Sequence, residues 1–145
     1  RHTICIPRLW NVYKMKRPLP SDRETEWSKW IAHKMNGEAE ARTFCGARCD
    51  VLTETHAWEV EWMKKYNQAP GQALLYASLF NKKPGIILLS RNDDRDSIYY
   101  LRCAVICESA GIDLQVVETY DEEQDKVGLA DIIKHGWDKL RGKIG

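Results

Sequence analysis

Three acids lie close together in this chain: Asp50 in RCDVLT, then Glu59 and Glu61 in AWEVEW. The alternation of AWEVEW is that of a strand. It puts Glu59 and Glu61 on one face and Trp58, Val60 and Trp62 on the other. Two carboxylates on a covered strand are costly unless a cation sits among them. Asp50 ends a short apolar step just before a hairpin, where it can lie beside Glu59. Carboxylates from adjacent strands, with the Val60 carbonyl between Glu59 and Glu61, offer the all-oxygen set that a hard divalent ion such as magnesium takes. Lys64 or Lys65 follows directly, and either ammonium could orient an attacking water or offset charge on a phosphate. Gln72 and Tyr76 stand one helical turn apart; Gln72 is suited to steadying a nucleophile or a phosphate oxygen, and Tyr76 reads as packing.

The elements that must position these groups are legible in outline. Ser21 and Glu24 form a capping-box pattern, and a helix runs from there to about Asn36, with Gly37 ending it. Trp27, Trp30, Ile31, Lys34 and Met35 share one face. Residues 38–44 and 47–53 read as a strand pair broken near Gly46, and 57–62 as a third strand. Pro70-Gly71 introduces a helix through about Phe80. The continuous apolar run at 85–90 (GIILLS) predicts a strand buried on both faces. A helix over 95–109, a strand over 112–118 and a last helix over 126–140 complete the order α-β-β-β-α-β-α-β-α. Residues 2–6 read as a short strand, and 7–20, with Pro7, Pro18, Pro20, Lys14, Lys16 and Arg17, as an irregular basic arm.

The bulk numbers set limits. A chain of 145 residues is expected to form one domain, and 43% apolar with 30% charged residues is an ordinary globular mix. It begins with Arg1, which reads as a fragment of a longer chain. No apolar run approaches a membrane span, and no signal peptide is visible. A net charge of +1 gives no bulk argument for nucleic acid, so any such surface must be local. The cysteines, Cys5, Cys45, Cys49, Cys103 and Cys107, read as reduced, packed thiols of an intracellular protein. Cys45-x3-Cys49 and Cys103-x3-Cys107 could be drawn as a zinc site, but Cys103 and Cys107 sit on an apolar helix face where small hydrophobes belong. The six tryptophans read as core or interface anchors.

Together these residues resemble the PD-(D/E)XK nuclease superfamily, the restriction-endonuclease-like fold. Asp50 matches its strand-end acid and Glu59 its second acid. Glu26, in TEWSKWIAHKMNG, matches the glutamate often supplied by the first helix. EARTFCGARCDVLT looks like the second-strand region of its junction-resolving members, and Gln72-x3-Tyr76 resembles the element of its exonuclease branch. The stretch from CDVLTETHAWEVEW through GQALLYASLFNKKPGIILL looks most like small bacterial and phage members. The resemblance spans most of residues 22–118. It implies a central mixed sheet of about five strands flanked by helices, an αβββαβ core with a C-terminal α/β extension. It implies magnesium, replaceable by manganese, held by Asp50, Glu59, the Val60 carbonyl and Glu26. It implies hydrolysis of DNA and is compatible with a homodimer; separately, the basic arm, Lys14, Lys16 and Arg17, would attract the phosphate backbone if it lies beside the site, and is otherwise a soluble tail.

One departure matters. Glu61 stands where the superfamily carries lysine, and in this the chain resembles the small relatives, with the lysine moved onto the following helix at the position of Lys65. If Lys65 does not reach the site, a binding module without cleavage is the expectation. Simpler readings exist for each residue. Asp50 suits a turn, Glu59 and Glu61 a wet edge-strand face, and Glu24 or Glu40 could replace Glu26 as the third acid. The four histidines, His2, His33, His56 and His135, have no metal-ligand spacing. No glycine-rich phosphate loop follows a strand, which argues against a metal-free small-molecule domain.

Overall fold

The structure is a computed structural model that describes residues 15–120. The expected strand at 2–6, most of the basic arm, Asp121 to Glu123 and the helix at 126–140 lie outside those residues. The described elements are α1 (Glu24–Lys34), β1 (Glu38–Arg42), β2 (Arg48–Leu52), β3 (His56–Trp62), a 3-10 helix (Met63–Gln68), α2 (Ala69–Phe80), β4 (Lys83–Ser90), α3 (Asp96–Ala110) and β5 (Asp113–Glu118). The strands form one five-stranded mixed sheet in the order β1-β2-β3-β4-β5. β1–β2 and β2–β3 are antiparallel; β3–β4 and β4–β5 are parallel. Among the described residues, no helix is long and apolar enough to cross a membrane.

The two faces of the sheet are covered by different helices. Trp27, Trp30 and Ile31 of α1 pack on Trp58, Val60, Ile87 and Leu89. Ala69 and Ala73 of α2, with Cys103, Ala104 and Cys107 of α3, pack on Ile86 and Leu88. In the parallel register Glu59 stands beside Ile86 and Glu61 beside Leu88. The two glutamates therefore share the covered α2/α3 face. Gly85 makes this packing possible, because a Cβ there would meet the Trp58 ring at 2.2 Å.

The first helix starts differently from the capping-box expectation. Its N-cap is Arg23 and no side chain caps it. Between Pro18 and Ser21 the chain turns, and the Asp22 carboxylate accepts the Leu19 N–H at 2.7 Å, so helix entry is set by that turn. At the far end Asn36, at φ 55°, takes the left-handed position expected of Gly37. Gly37 serves a close approach instead, since a Cβ there would lie 2.7 Å from the Leu52 carbonyl oxygen. Cys49, Cys103 and Cys107 are buried as expected, with the last two sulfurs 3.9 Å apart. Cys45 is exposed, because it falls in the tight turn joining β1 to β2.

Candidate functional site

The site begins where β2 parts from β3. Their ladder pairs Val51 with Trp58 and Leu52 with Ala57. At the next position the Asp50 carboxylate takes over, accepting the Val60 N–H at 2.8 Å. In a strand one residue's N–H and C=O point to the same edge. The Val60 carbonyl therefore faces the same opening as Asp50. Glu61 turns an oxygen back to accept the Trp62 N–H at 2.9 Å. On the outer side Ala39 faces Val51 and Ala41 faces Cys49, so Glu40 falls opposite Asp50, in a left-handed conformation at φ 53°. Such strain in a non-glycine residue persists only where the surroundings hold it, and it tends to collect at functional sites.

Four carboxylates from three elements share this fork: Glu24 from the first turn of α1, Asp50 from β2, Glu59 and Glu61 from β3. Glu59 is 6% exposed and Glu61 7%. Burial pushes the Glu59 carboxyl up to about 10, reinforced by the Asp50 charge, a hydrogen bond to Asp50, and the charges of Glu24 and Glu61. Burial also raises Asp50, against the lowering effect of the Val60 N–H and the Glu59 hydrogen bond. Glu24 is raised to about 8 by burial, by a hydrogen bond to Glu61, and by the charges of Glu61 and Asp50. Burial and the neighbouring acids thus favour the protonated forms of Glu59 and Glu24. The Glu59 Oε2 remains buried with no hydrogen-bond partner. Among the described residues, no group of three or more His, Cys, Asp or Glu side chains is arranged so that it could hold a metal ion as it stands. What the fold supplies is a set of carboxyl oxygens brought near one another by three elements.

The residues singled out from the sequence divide clearly. Asp50, Glu59, Glu61 and the Val60 backbone meet in the fork. Glu26 does not join them; it is half exposed and paired with Lys29 at 3.6 Å. Glu24 takes the helix-side place instead. Two residues apart on a helix is about 200° of rotation, so only one of these glutamates can face the sheet edge. Lys65 is exposed, in a bent part of the 3-10 helix (φ −103°, ψ 25°), and its charge acts on Glu24 and lowers it. Lys65 thus lies close enough to the cluster for its charge to act on it. Gln72 is exposed on α2, while Tyr76 is buried and its phenol is pushed up by burial and by the charges of Glu59 and Asp50. Tyr76 is therefore a wall of the acid site as well as a packing residue.

The basic arm is altered too. Lys14 lies outside the described residues and Lys16 is exposed. Arg17 is anchored: its guanidinium lies 5.3 Å from the Trp27 ring centre and 5.0 Å from that of Trp30, and it donates to the Glu118 carbonyl. It holds the chain entering α1 against the end of β5, rather than extending as a loose phosphate contact. His56 stacks on Trp58 and pairs with Asp113, a structural role. A cavity of about 510 Å3 lined by Asn36, Thr53, His56, Trp58 and Gln115 lies at the opposite end of β3 from Glu61, so cavity size does not locate the acids. No protein-family model, curated protein or solved structure matches this chain.

Proposed function

We propose that the acid cluster holds a divalent cation, magnesium with manganese able to substitute, and that the protein hydrolyses phosphodiester bonds of DNA in the manner of the PD-(D/E)XK nucleases it resembles. The observation that carries this reading is the buried, unpartnered Glu59 Oε2 amid three further carboxylates. A carboxylate oxygen with no donor, in a site already short of positive charge, is what a hard cation satisfies. The donor set is all oxygen, which suits magnesium or manganese and not zinc. The reading takes the fold as restriction-endonuclease-like; the observed order α-β-β-β-α-β is the core expected of that fold.

The chain's own residues take distinct parts. Asp50, Glu59 and the Val60 carbonyl would hold the ion, with Glu24 completing the set from the helix side. Glu61, tied to the Trp62 N–H, stands beside Glu24 as a further acid of the set. When bound, the ion lowers the pKa of water and offsets the negative charge of the phosphate. Lys65, at the rim, brings an ammonium toward the attacking water and the charge that develops on the phosphate. Gln72 stands exposed one turn before Tyr76, placed to steady a phosphate oxygen or the water.

A supercoiled-plasmid nicking assay with magnesium or manganese tests this. Nicking is expected, and it should be abolished in both Asp50→Ala and Glu59→Ala. One observation favours a second reading, a nuclease-like module that binds nucleic acid without cutting: the superfamily lysine position is Glu61, and Lys65 is exposed on a bent 3-10 turn. No nicking with either metal, alongside intact DNA binding, would support that module.

A further inference from the structure

The turn between β1 and β2 presents an aromatic ring with unusual completeness. Phe44 is 91% exposed, more than any other large hydrophobic among the described residues. The turn itself is firmly closed. Thr43 donates from both its N–H and its hydroxyl to the Ala47 carbonyl, each at 2.9 Å. Gly46, at φ +88°, donates its N–H to the Thr43 carbonyl at 3.2 Å. Phe44 is thus held outward by a bonded turn. Isolated surface hydrophobes are common, but what flanks this one is not neutral. Arg42 and Arg48 are direct cross-strand partners and both are exposed. Like charges opposed across a ladder destabilise it. Glu40 pairs with Arg48 at 3.6 Å, and among the described residues no ion pair is formed by Arg42. Residues 42–48 (RTFCGAR) contain two arginines and no acid, in a chain whose net charge is +1. The turn is thus locally positive although the chain as a whole is nearly neutral.

An opposed arginine pair is relieved by anionic groups, and an outward aromatic ring between them fits a planar base. The same hairpin leads straight to Asp50. At about 3.3 Å per residue of extended chain, and with the turn folding back, Phe44 lies within about 20 Å of that acid. We infer that the β1–β2 turn is a DNA-reading element, with Phe44 stacking on an unpaired base while Arg42 and Arg48 hold the adjoining phosphates. The inference rests on the nuclease reading and sharpens its substrate to DNA that offers unpaired bases, such as a single-stranded end, flap or branch.

The test is fluorescence anisotropy of the full chain in EDTA, with a labelled single-stranded oligonucleotide, its blunt duplex and an RNA strand of the same sequence. Phe44→Ala should weaken single-strand binding between about five-fold and a hundred-fold, with much less effect on the duplex, while Phe44→Trp retains it. Arg42→Gln with Arg48→Gln should weaken both, and should flatten the single-strand salt dependence by about 0.7 per arginine removed. Cys45, beside Phe44 and exposed, gives a reading without mutation: single-stranded DNA should slow its maleimide labelling, followed by peptide mapping. Phe44→Ala binding single strands like the parent, or tighter binding of the RNA strand, would overturn the proposal. So would absence of any oligonucleotide binding, which leaves the turn to a protein partner. Cation binding by the acids is measured separately by manganese titration, so failure of the turn is distinguishable from failure of the nuclease reading.

Discussion

If the carboxylates are held together by protons until a cation arrives, cation binding must expel those protons. Glu59 is raised to about 10 and Glu24 to about 8, so both are protonated at pH 7 in the metal-free protein. An ion that takes both displaces close to two protons there. The logarithm of the apparent affinity for manganese should then climb by nearly two per pH unit up to about pH 8, and by about one from there to about pH 10. Between pH 6 and 7 that is roughly a hundred-fold. Isothermal titration in two buffers of different ionisation enthalpy counts the protons directly. The same linkage sets the stability of the metal-free protein. Both native values lie above the ordinary 4.5, so this contribution is fully present below about pH 4.5 and is lost as pH rises through 8 and 10. Each carboxyl removes up to about 1.4 kcal/mol per pH unit over its window, and saturating manganese should abolish the slope. Affinity independent of pH above 6, with no proton release, would refute the reasoning, because it would mean that the acids are already ionised in solvent.

Four substitutions probe the parts separately. Glu24→Gln should weaken manganese binding by about ten-fold or more, whereas Glu26→Gln, which removes only an exposed pair with Lys29, should leave it unchanged; the titration above reads both. Gly85→Ala should destabilise the fold by about 2–3 kcal/mol in urea unfolding, because the new methyl has to displace the Trp58 ring. Glu40→Gly should stabilise the protein by about 0.5–1 kcal/mol, since relief of the left-handed strain exceeds the loss of one exposed pair with Arg48.

The sheet was legible because its signals are strong and of a single kind. AWEVEW alternates, GIILLS is apolar throughout, and each became the strand expected of it, longer by one or two residues at its start. The 3-10 helix was not legible: MKKYNQ has no clean period, and its bend at Lys65 is settled by how α2 and α3 pack against it. The candidate acids of the sheet could be read from one strand and its neighbour. The helix-side acid could not, because Glu24 and Glu26 both fall in the first turn and the choice depends on where the helix starts. That start is fixed by the Leu19–Asp22 turn rather than by Ser21. Nor does any sequence signal mark the strain at Glu40 or the outward ring of Phe44. The ring is turned outward by the bonded turn at Thr43, Gly46 and Ala47, and the strain at Glu40 arises in β1 opposite Asp50.

The central claim is that oxygen atoms of Asp50, Glu59 and Val60 surround a divalent ion. A crystal of the protein soaked in manganese and measured at the manganese absorption edge tests it most directly. The account predicts one anomalous peak in the fork between β2 and β3, at about 2.0–2.3 Å from Asp50, Glu59 and the Val60 carbonyl oxygen. An anomalous peak elsewhere, with Glu59 still protonated against Asp50, would contradict it.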